Sequence, residues 1–269
     1  MKNFKTLISS LALVTTTSLF AYDGSSSYSL ALVDMSMDYK EYNTAGTLID
    51  SEKSKFTDIA GVEMAYAYGF GCKGDECTKI DFNILRVVGN SDYVGSPLGS
   101  NLPYGSTVSS TLNTITDISL SSKVYVSVTP STQVIYGVGL GYRYWERELS
   151  TTQKEIYSWF SLRPVLGVEY AISKNLSISA LAEYHYAIKP TMSASNVSSD
   201  FTLGSTNIIE MKIPVEYQVS NKLGFFSEFV FSKQTIRESN HITQGINTFY
   251  EPDSTAYNNY VKIGMRYKY

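Results

Sequence analysis

The stretch Lys262-Ile-Gly-Met-Arg-Tyr-Lys-Tyr269 ends the chain, and apolar side chains alternate strictly there with charged residues or glycine. A period of two is typical of a β-strand with one face in lipid and the other in water. The terminal residues of soluble domains usually fray. An alternation that runs to the carboxylate and ends on an aromatic residue therefore favours a membrane-spanning strand.

Ten amphipathic segments can be placed along the chain, and each exceeds the roughly 9–11 residues that a strand needs to cross a bilayer. They cover about residues 28–42, 56–70, 78–92, 112–128, 133–147, 154–171, 176–189, 207–219, 223–236 and 258–269. Short and long connections alternate between them, as a barrel with short periplasmic turns and long outer loops requires. We predict an all-β, antiparallel up-and-down transmembrane β-barrel of ten strands, with eight or twelve strands as alternatives and both termini in the periplasm.

The last strand also carries a recognisable arrangement of residues. A polar residue, a glycine two positions later, and aromatics at the third-last and last positions are present as Lys262, Gly264, Tyr267 and Tyr269. This arrangement resembles the C-terminal assembly signal of bacterial outer-membrane β-barrels. The chain as a whole resembles small porin-like outer-membrane barrels, the OmpA/Opa-type transmembrane class. The resemblance implies an outer-membrane location, contact with lipid and lipopolysaccharide, and insertion by the barrel-assembly machinery.

The N-terminus has the pattern of a secretory signal peptide. A basic start is followed by a short apolar stretch and by Ala21 as a small residue for cleavage. We expect residues 1–21 to be removed and residues 22–269 to form a single barrel domain. After Ala21 no stretch approaches the roughly 18 apolar residues that a membrane helix needs. The net charge of −3 comes without a basic block, so nucleic acid is not expected as a partner.

Many of the 22 tyrosines fall near predicted strand ends, where aromatic girdles lie at the two membrane interfaces. Aromatic residues predicted to face lipid at the outer ends of strands are Tyr39, Tyr142, Tyr144, Tyr184 and Tyr186. Those predicted at the periplasmic ends are Tyr66, Tyr68, Phe70, Tyr170, Tyr217, Tyr267 and Tyr269.

The polar phase of each strand predicts the charges that face the lumen. The acids are Asp34, Asp38, Glu63, Asp81, Asp117, Glu169, Glu183, Glu210, Glu216 and Glu228. The bases are Lys40, Lys123, Arg143, Arg147, Arg163, Lys189, Lys212, Lys262, Arg266 and Lys268. Charges held in a narrow barrel need partners, so one interpretation is a lumen filled by ion pairs. The other is a narrow polar channel, although equal numbers of acids and bases argue against strong ion selectivity.

The fifth predicted strand has three inward glycines, Gly137, Gly139 and Gly141. They leave either a groove in the lumen wall or room for long basic side chains, and we favour the second. Trp145 and Trp159 are near cross-strand partners in the next hairpin. By phase both face inward, where they would form an aromatic mouth, but a slip of one residue would put them in the outer girdle. We favour the girdle.

Two further features bear on chemistry. Cys72 and Cys77 bracket a short turn, and in the oxidising periplasm a disulfide is the expected state, with metal binding as a weak alternative. Glu183 and His185 resemble the acid–His pair of the outer-membrane proteases of the omptin family, with Glu in place of Asp. The nearest acid-x-acid sequence, 50–52, lies in a predicted loop. We therefore expect no enzyme, no catalytic residue, no cofactor and no metal, and retain an omptin-like protease as a remote alternative.

The function that these features favour is a narrow porin-like channel for small polar solutes. The alternative is a closed structural or surface-interaction barrel, adhesin-like, whose lumen is filled by salt bridges.

Overall fold

The computed structural model describes residues 24–96 and 103–269, so the predicted signal peptide, residues 1–21, lies outside the described residues. The strands are β1 (Ser27–Tyr42), β2 (Leu48–Lys73), β3 (Glu76–Gly95), β4 (Thr107–Thr129), β5 (Thr132–Glu148), β6 (Lys154–Ala171), β7 (Leu176–Ala194), β8 (Phe201–Thr202), β9 (Thr206–Gln218), β10 (Leu223–Ile236), β11 (Ile242–Gln244), β12 (Asn247–Phe249) and β13 (Asp253–Lys268). Within this part of the chain, no helix is long and apolar enough to cross a membrane.

Ten strands, β1–β7, β9, β10 and β13, form one closed antiparallel barrel. Neighbours along the chain pair with each other, and β1 pairs with β13 without interruption from Ser27↔Lys268 to Tyr42↔Asp253. The terminal strand therefore closes the cylinder, and its pairing on both sides explains an alternation that runs to the end of the chain. The predicted all-β fold with ten strands is confirmed.

The two ends of the barrel differ. One end, here the turn end, carries the tight turns that follow β2, β4, β6 and β9, together with both termini of the barrel. Gly74, with φ +60°, provides the left-handed conformation that the turn between β2 and β3 requires. The other end, here the loop end, carries the longer connections and the small β11–β12 hairpin.

The barrel wall rises further at the loop end than the sequence predicted. β2 begins at Leu48 rather than near residue 56, β4 at Thr107 rather than 112, and β13 at Asp253 rather than 258. These extensions are rich in polar residues, which is the composition of a loop. They are strands because a barrel neighbour continues to pair with each of them: β1 with β2 and with β13, and β3 with β4.

An outward-facing apolar band surrounds the turn-end half of the barrel. On β1 it includes Leu30 and Leu32, which are 50% and 71% exposed. Tyr28 stacks on Tyr66 and on Tyr269, with ring centroids 4.9 and 5.4 Å apart, and these rings mark the turn-end border of the band. Exposed aromatic residues nearer the loop end are Tyr184, Tyr186, Phe160 and Phe231. An apolar band between two aromatic borders is the surface pattern typical of a membrane-spanning barrel.

The two faces of the wall exchange polarity partway along the barrel. On β1 the outward residues change from exposed Leu32 to Asp34, while the inward residues change from Ser29 to buried Val33 and Met35. Near the turn end the outside is apolar and the inside is polar. Near the loop end the outside is polar and the inside is a packed apolar core. The same exchange explains why the alternation of β3 is irregular near Leu85, where the inward residues become apolar.

This exchange makes the prediction wrong for two of the lumen charges. Asp34 and Asp38 lie on the outer face, not in the lumen. The Oδ1 atom of Asp34 accepts a hydrogen bond of 2.7 Å from the backbone N of Thr57, and Asp38 pairs with Lys40 and Lys53 at 3.3 and 3.7 Å. The physical reason is that a polar phase marks the lumen only where lipid covers the opposite face.

Three other orientations are corrected for related reasons. Lys40 follows the outward phase of β1, so it also lies outside the barrel. Lys189 is exposed at an irregular position of β7, with φ +49°. Tyr39 was predicted to face lipid, but it is fully buried inside the barrel because the interior at its level is apolar.

Candidate functional site

The interior of the barrel is divided into two regions. A polar cavity of about 760 Å³ occupies the turn-end half and reaches the turns at residues 173–175 and 219–221. We call it the turn-end cavity. A cluster of buried apolar residues, none more than 8% exposed, occupies the loop-end half. We call it the outer core.

The turn-end cavity collects most of the predicted lumen charges. Those that line it are Glu63, Asp81, Asp117, Lys123, Arg143, Arg163, Glu169, Glu183, Glu210, Lys212, Glu216, Glu228, Lys262, Arg266 and Lys268. Most of them are paired. Lys262 Nζ lies 2.6 Å from Glu63 Oε2 and 2.8 Å from Glu228 Oε1, which ties the closing strand to β2 and β10. Arg266 pairs with Glu216.

Asp117 is the centre of one buried group in this cavity. Arg163 donates two hydrogen bonds to its carboxylate, Nη1 to Oδ1 at 2.7 Å and Nη2 to Oδ2 at 3.0 Å. Arg143 Nη1 lies 3.5 Å from Oδ2. Arg143 and Arg163 are 2% and 4% exposed, so one carboxylate contacts two guanidinium groups that are almost out of water. A bidentate Arg–carboxylate pair is among the strongest polar contacts in proteins.

The glycines of β5 make this arrangement possible. A Cβ atom on Gly141 would overlap the guanidinium of Arg163, which lies across it from the neighbouring strand. The structure thus has the second of the two predicted arrangements, in which missing side chains leave room for a long basic residue. The basic residue comes from the adjacent strand rather than from across the lumen.

A second group joins β7 to β9. Glu183 and His185 alternate inward on β7, and Glu183 lies directly opposite Glu210 in the register. His185 Nε2 lies 2.9 Å from Glu183 Oε1 and 3.7 Å from Glu210 Oε2. Lys212 Nζ lies 2.8 Å from Glu183 Oε2 and 3.1 Å from Glu210 Oε2. Two carboxylates, an imidazole and an ammonium group therefore meet at the inner end of the turn-end cavity.

The outer core contains two tryptophans that the sequence analysis assigned to the girdle. That assignment is wrong: Trp145 and Trp159 are 1% and 2% exposed inside the barrel. Trp145 stacks on Tyr157 with centroids 4.9 Å apart, and its Nε1 donates a hydrogen bond of 2.8 Å to Asn113. β5 pairs with β6 without a register shift. The inward position of Trp145 is stable because the interior at this level is apolar and supplies an acceptor for the indole N–H.

Arg147 lies at the loop-end side of the outer core and is 1% exposed. Its Nη1 lies 2.9 Å from Glu41 Oε1 and 2.8 Å from Glu155 Oε2, and its Nη2 lies 2.7 Å from Glu52 Oε1. The hydroxyl of Tyr157 donates a hydrogen bond of 2.6 Å to a fourth carboxylate. That carboxylate is Glu251. The Arg147 cluster is defined here as Arg147, Glu41, Glu52, Glu155, Glu251, Tyr39 and Tyr157.

Sequence reasoning placed Arg147 inside the barrel but missed its acidic partners. Glu52 and Glu251 fall in segments that were predicted as loops, and Glu41 and Glu155 lie at strand ends. The signal in the sequence was that Tyr39 and Glu41 lie on the same face of β1. The register of β1 with β2 was needed to show that Glu52 lies beside them.

The acidic pair of the omptin comparison belongs to this region and not to the group around His185. Asp50 accepts a hydrogen bond of 2.8 Å from the hydroxyl of Tyr93, and Glu52 pairs with Arg147. The contacts of His185 are with Glu183 and Glu210. The acid–His pair and the acid-x-acid sequence therefore belong to different clusters.

At the turn end, Cys72 and Cys77 are joined by a disulfide bond across the connection between β2 and β3. The bond encloses a short segment, so a contribution of about 2 kcal/mol to stability is the expected scale.

The connection between β12 and β13 is docked through Glu251, which is 4% exposed. Its backbone N donates a hydrogen bond of 2.8 Å to Ser239 Oγ. Burial, followed by the nearby carboxylates of Glu41 and Glu155, raises the pKa of Glu251 well above its usual range, although Tyr157 and Arg147 oppose the shift.

This shift predicts that docking of the connection weakens as pH rises. The folded state holds the Glu251 proton more tightly than the unfolded state, so the docked form is favoured below the ordinary Glu pKa of about 4.3 and loses stability as pH rises from there to the raised value. Hydrogen-exchange protection of the Ser239 and Glu251 amides should fall over this range, after correction for intrinsic rates. Glu251→Gln should abolish the dependence. The control His241→Asn, in the neighbouring connection between β10 and β11, should keep it. An unchanged dependence in Glu251→Gln would contradict the prediction.

Comparison with known proteins identifies the architecture. No protein-family model matches the chain, and no curated protein matches it in sequence. Outer membrane protease OmpT from Escherichia coli has a TM-score of 0.57 at 10% identity, over 96% of this chain and 99% of that one. The translocator domain of autotransporter NalP from Neisseria meningitidis has a TM-score of 0.43 at 10% identity, over 98% and 93%. The attachment invasion locus protein Ail of Yersinia pestis has 0.35 at 12% identity, over 90% and 98%.

A closed ten-stranded antiparallel barrel with an apolar outer band leaves no unpaired strand edge in the lipid, which is the condition for a β-protein to span a membrane. The chain is an integral β-barrel of the bacterial outer membrane. The similarity to OmpT, at 10% identity, concerns the fold alone.

Proposed function

We propose that the protein is a closed, non-conducting outer-membrane barrel whose working surface is its loop end, directed away from the cell. The observation that supports this most directly is the outer core. All ten barrel strands contribute side chains to it, so it is surrounded by the whole barrel wall.

The residues of the outer core are Val33, Met35, Met37 and Tyr39 of β1, Ile59 of β2, Leu85 and Val87 of β3, Ile115 of β4, Trp145 of β5, Tyr157 and Trp159 of β6, Ala187 and Met192 of β7, Ile208 of β9, Val230 and Ile236 of β10, Ala256 and Tyr260 of β13, and Phe201 and Leu203 between β7 and β9. Side chains packed this closely argue against a continuous water path between them. Most residues of the Arg147 cluster, nearer the loop end, are buried as well, which supports the same proposal.

The porin-like alternative is supported by the turn-end cavity, which is polar and open at the turns. A solute that enters this cavity meets the outer core at its far end. Permeation would therefore require the core to rearrange, and a core at crystal-like packing density resists such a change.

Single-channel recording in planar phospholipid bilayers tests the proposal. We expect no current steps from folded wild-type protein. The variant Trp145→Ala/Tyr157→Ala removes two stacked rings from the core and is the matched positive control, for which we expect ohmic steps. Steady steps from the wild type would overturn the proposal and favour the porin-like function. Circular dichroism before insertion establishes that both proteins are folded.

If the barrel is closed, its function depends on groups that are exposed at the loop end. The outer wall above the apolar band carries mixed charges, among them the group formed by Asp38, Lys40 and Lys53. The β11–β12 hairpin presents Ile246, 99% exposed, at its tip. A surface-interaction function would use these groups.

The proposal also includes two kinds of partner that would contact the barrel away from its loop end. Lipid and lipopolysaccharide would cover the apolar band. The barrel-assembly machinery would recognise the last strand, in which Lys262 and Gly264 lie on the inner phase and Tyr267 and Tyr269 on the outer phase. No enzymatic step is included, since His185 is buried and the acids Asp50 and Glu52 contact Tyr93 and Arg147 instead of the acid–His pair.

A further inference from the structure

We propose that Glu183, His185 and Glu210 form a binding site for a divalent transition-metal ion, of the Zn²⁺ type, at the inner end of the turn-end cavity. The site does not depend on the proposed function, because a conducting barrel would hold the same three residues.

The ligand atoms converge. One atom from each of the three side chains lies within 4.8 Å of the other two. Glu183 and His185 share the inward face of β7, and Glu210 lies opposite Glu183 on β9, so paired backbone holds all three in place. Strand-borne ligands are held more rigidly than loop-borne ones, which favours a defined coordination geometry.

The state of His185 is the second observation. Its side chain is 2% exposed, yet neither ring nitrogen makes a hydrogen bond to the described residues. The Nε2 atom lies 2.9 Å from Glu183 Oε1, but the pair lacks hydrogen-bond alignment. A buried imidazole normally satisfies its nitrogens. Close approach without alignment is the arrangement expected of two ligand atoms that point towards a shared third atom.

The chemistry of the donors defines the class of ion. Imidazole nitrogen together with carboxylate oxygens suits Zn²⁺ and its first-row neighbours, whereas Ca²⁺ and Mg²⁺ prefer oxygen ligands alone. The cysteines of the described chain are joined to each other, so thiolate ligands are not involved.

Lys212 already contacts Glu183 and Glu210, and its position leaves room for a metal ion beside it. It holds Glu183 through Oε2, whereas His185 approaches Oε1, so the two sides of the carboxylate are used separately. An ion on the His185 side would leave the Lys212 contact to Glu183 as an outer support, of the kind that orients metal ligands. The ammonium group borders the cavity and can withdraw from Glu210 into it.

The ion has a route to the site. Glu183, Glu210 and Lys212 line the turn-end cavity, which reaches the turns at residues 173–175 and 219–221. In the predicted orientation this opening faces the periplasm. The alternative state of the group is an ion network without a metal ion, in which Lys212 is the cation between the two carboxylates.

Isothermal titration of the chelator-treated, folded barrel with Zn²⁺ separates these two states. We expect one ion per chain, and affinity at least tenfold weaker in His185→Asn and in Glu210→Gln. The chain has one other histidine, His241, which lies 3.1 Å from Glu238 at the loop end with a half-exposed side chain. His241→Asn is therefore the matched control and should bind as the wild type does.

Absence of binding in the wild type, or binding that His241→Asn removes and His185→Asn does not, would overturn the site. Should His185→Asn fail to fold, Co²⁺ in place of Zn²⁺ provides a second measurement. The visible absorption of Co²⁺ bound to the wild type should indicate nitrogen and oxygen ligands and should be lost in Glu210→Gln. An unchanged Co²⁺ spectrum in that variant also counts against the site. Neither outcome depends on whether the wild type conducts, so this test is separate from that of the proposed function.

Discussion

Replacing Arg147 with methionine is expected to lower the free energy of unfolding by about 3–5 kcal/mol, one of the two largest effects that the structure predicts. Methionine keeps much of the side-chain volume but removes the charge that neutralises the buried carboxylates of Glu41, Glu52 and Glu155. Those carboxylates would remain in a region where Glu52 is fully buried and Glu41 is 6% exposed. Removing one partner from a buried ionic group is destabilising because the remaining charges lose their compensation.

Urea titration of the barrel in phospholipid vesicles measures this loss. Both tryptophans of the chain lie in the outer core, so intrinsic fluorescence reports on the region that changes. Arg237→Met is the matched control: its side chain is 63% exposed and pairs with Asp253, and an exposed pair contributes at most about 1 kcal/mol. If both variants lose the same free energy of unfolding, Arg147 does not stabilise the fold by neutralising buried carboxylates.

The Arg147 cluster also predicts that removing an acidic member costs less stability than removing the basic one. Three carboxylates share one guanidinium, so Glu155→Gln should destabilise much less than Arg147→Met, because it relieves repulsion as it removes an ion pair. A loss as large as that of Arg147→Met would indicate that the carboxylates are held mainly by other groups.

Asp117→Asn is expected to be the second large effect, again about 3–5 kcal/mol. The amide cannot neutralise Arg143 and Arg163, and it replaces one of the two acceptors of the bidentate pair with a donor. Asp81→Asn is the control in the same cavity. Its partner is Lys123, at 3.1 Å, and its side chain is 21% exposed, so water can replace the interaction and a loss of about 1 kcal/mol is expected.

A double variant tests the cause of the Asp117 effect. Arg163→Met removes one of the two charges left unpaired, so Asp117→Asn combined with Arg163→Met should be less destabilising than the sum of the single variants. The urea transition measured as above provides the coupling energy. Strict additivity would indicate that Asp117 acts through packing rather than through its charge.

The amino-acid sequence by itself determined that the chain forms ten strands and closes with the last one. Alternation is a local property, since successive side chains of a strand point to opposite faces, and it could be read wherever one face met lipid. The turns, the apolar band and the inward phase of Glu63, Lys262 and Arg266 followed from it. The pair of Glu183 with His185 was visible for the same reason.

Tertiary structure alone decided which medium each face meets at each height of the barrel. The same alternation continues through Leu32 and Asp34, but the outside changes from lipid to water and the inside changes from cavity to packed core. That change depends on how far the wall rises beyond the membrane and on which side chains meet across the interior. Neither is encoded in the period of one strand, which is why Asp34, Asp38 and Tyr39 were assigned to the wrong side.

The candidate sites required the register between strands as well. Glu210 joins Glu183 and His185 because β9 pairs with β7 in a particular alignment. Glu52 reaches Arg147, and Glu251 reaches Tyr157 beside it, from segments with the composition of loops. Long-range pairing brings these groups together, and the free energy of burying a charge then selects the partners that neutralise it. Sequence determined the strands; the closed barrel determined which charges share a low-dielectric interior.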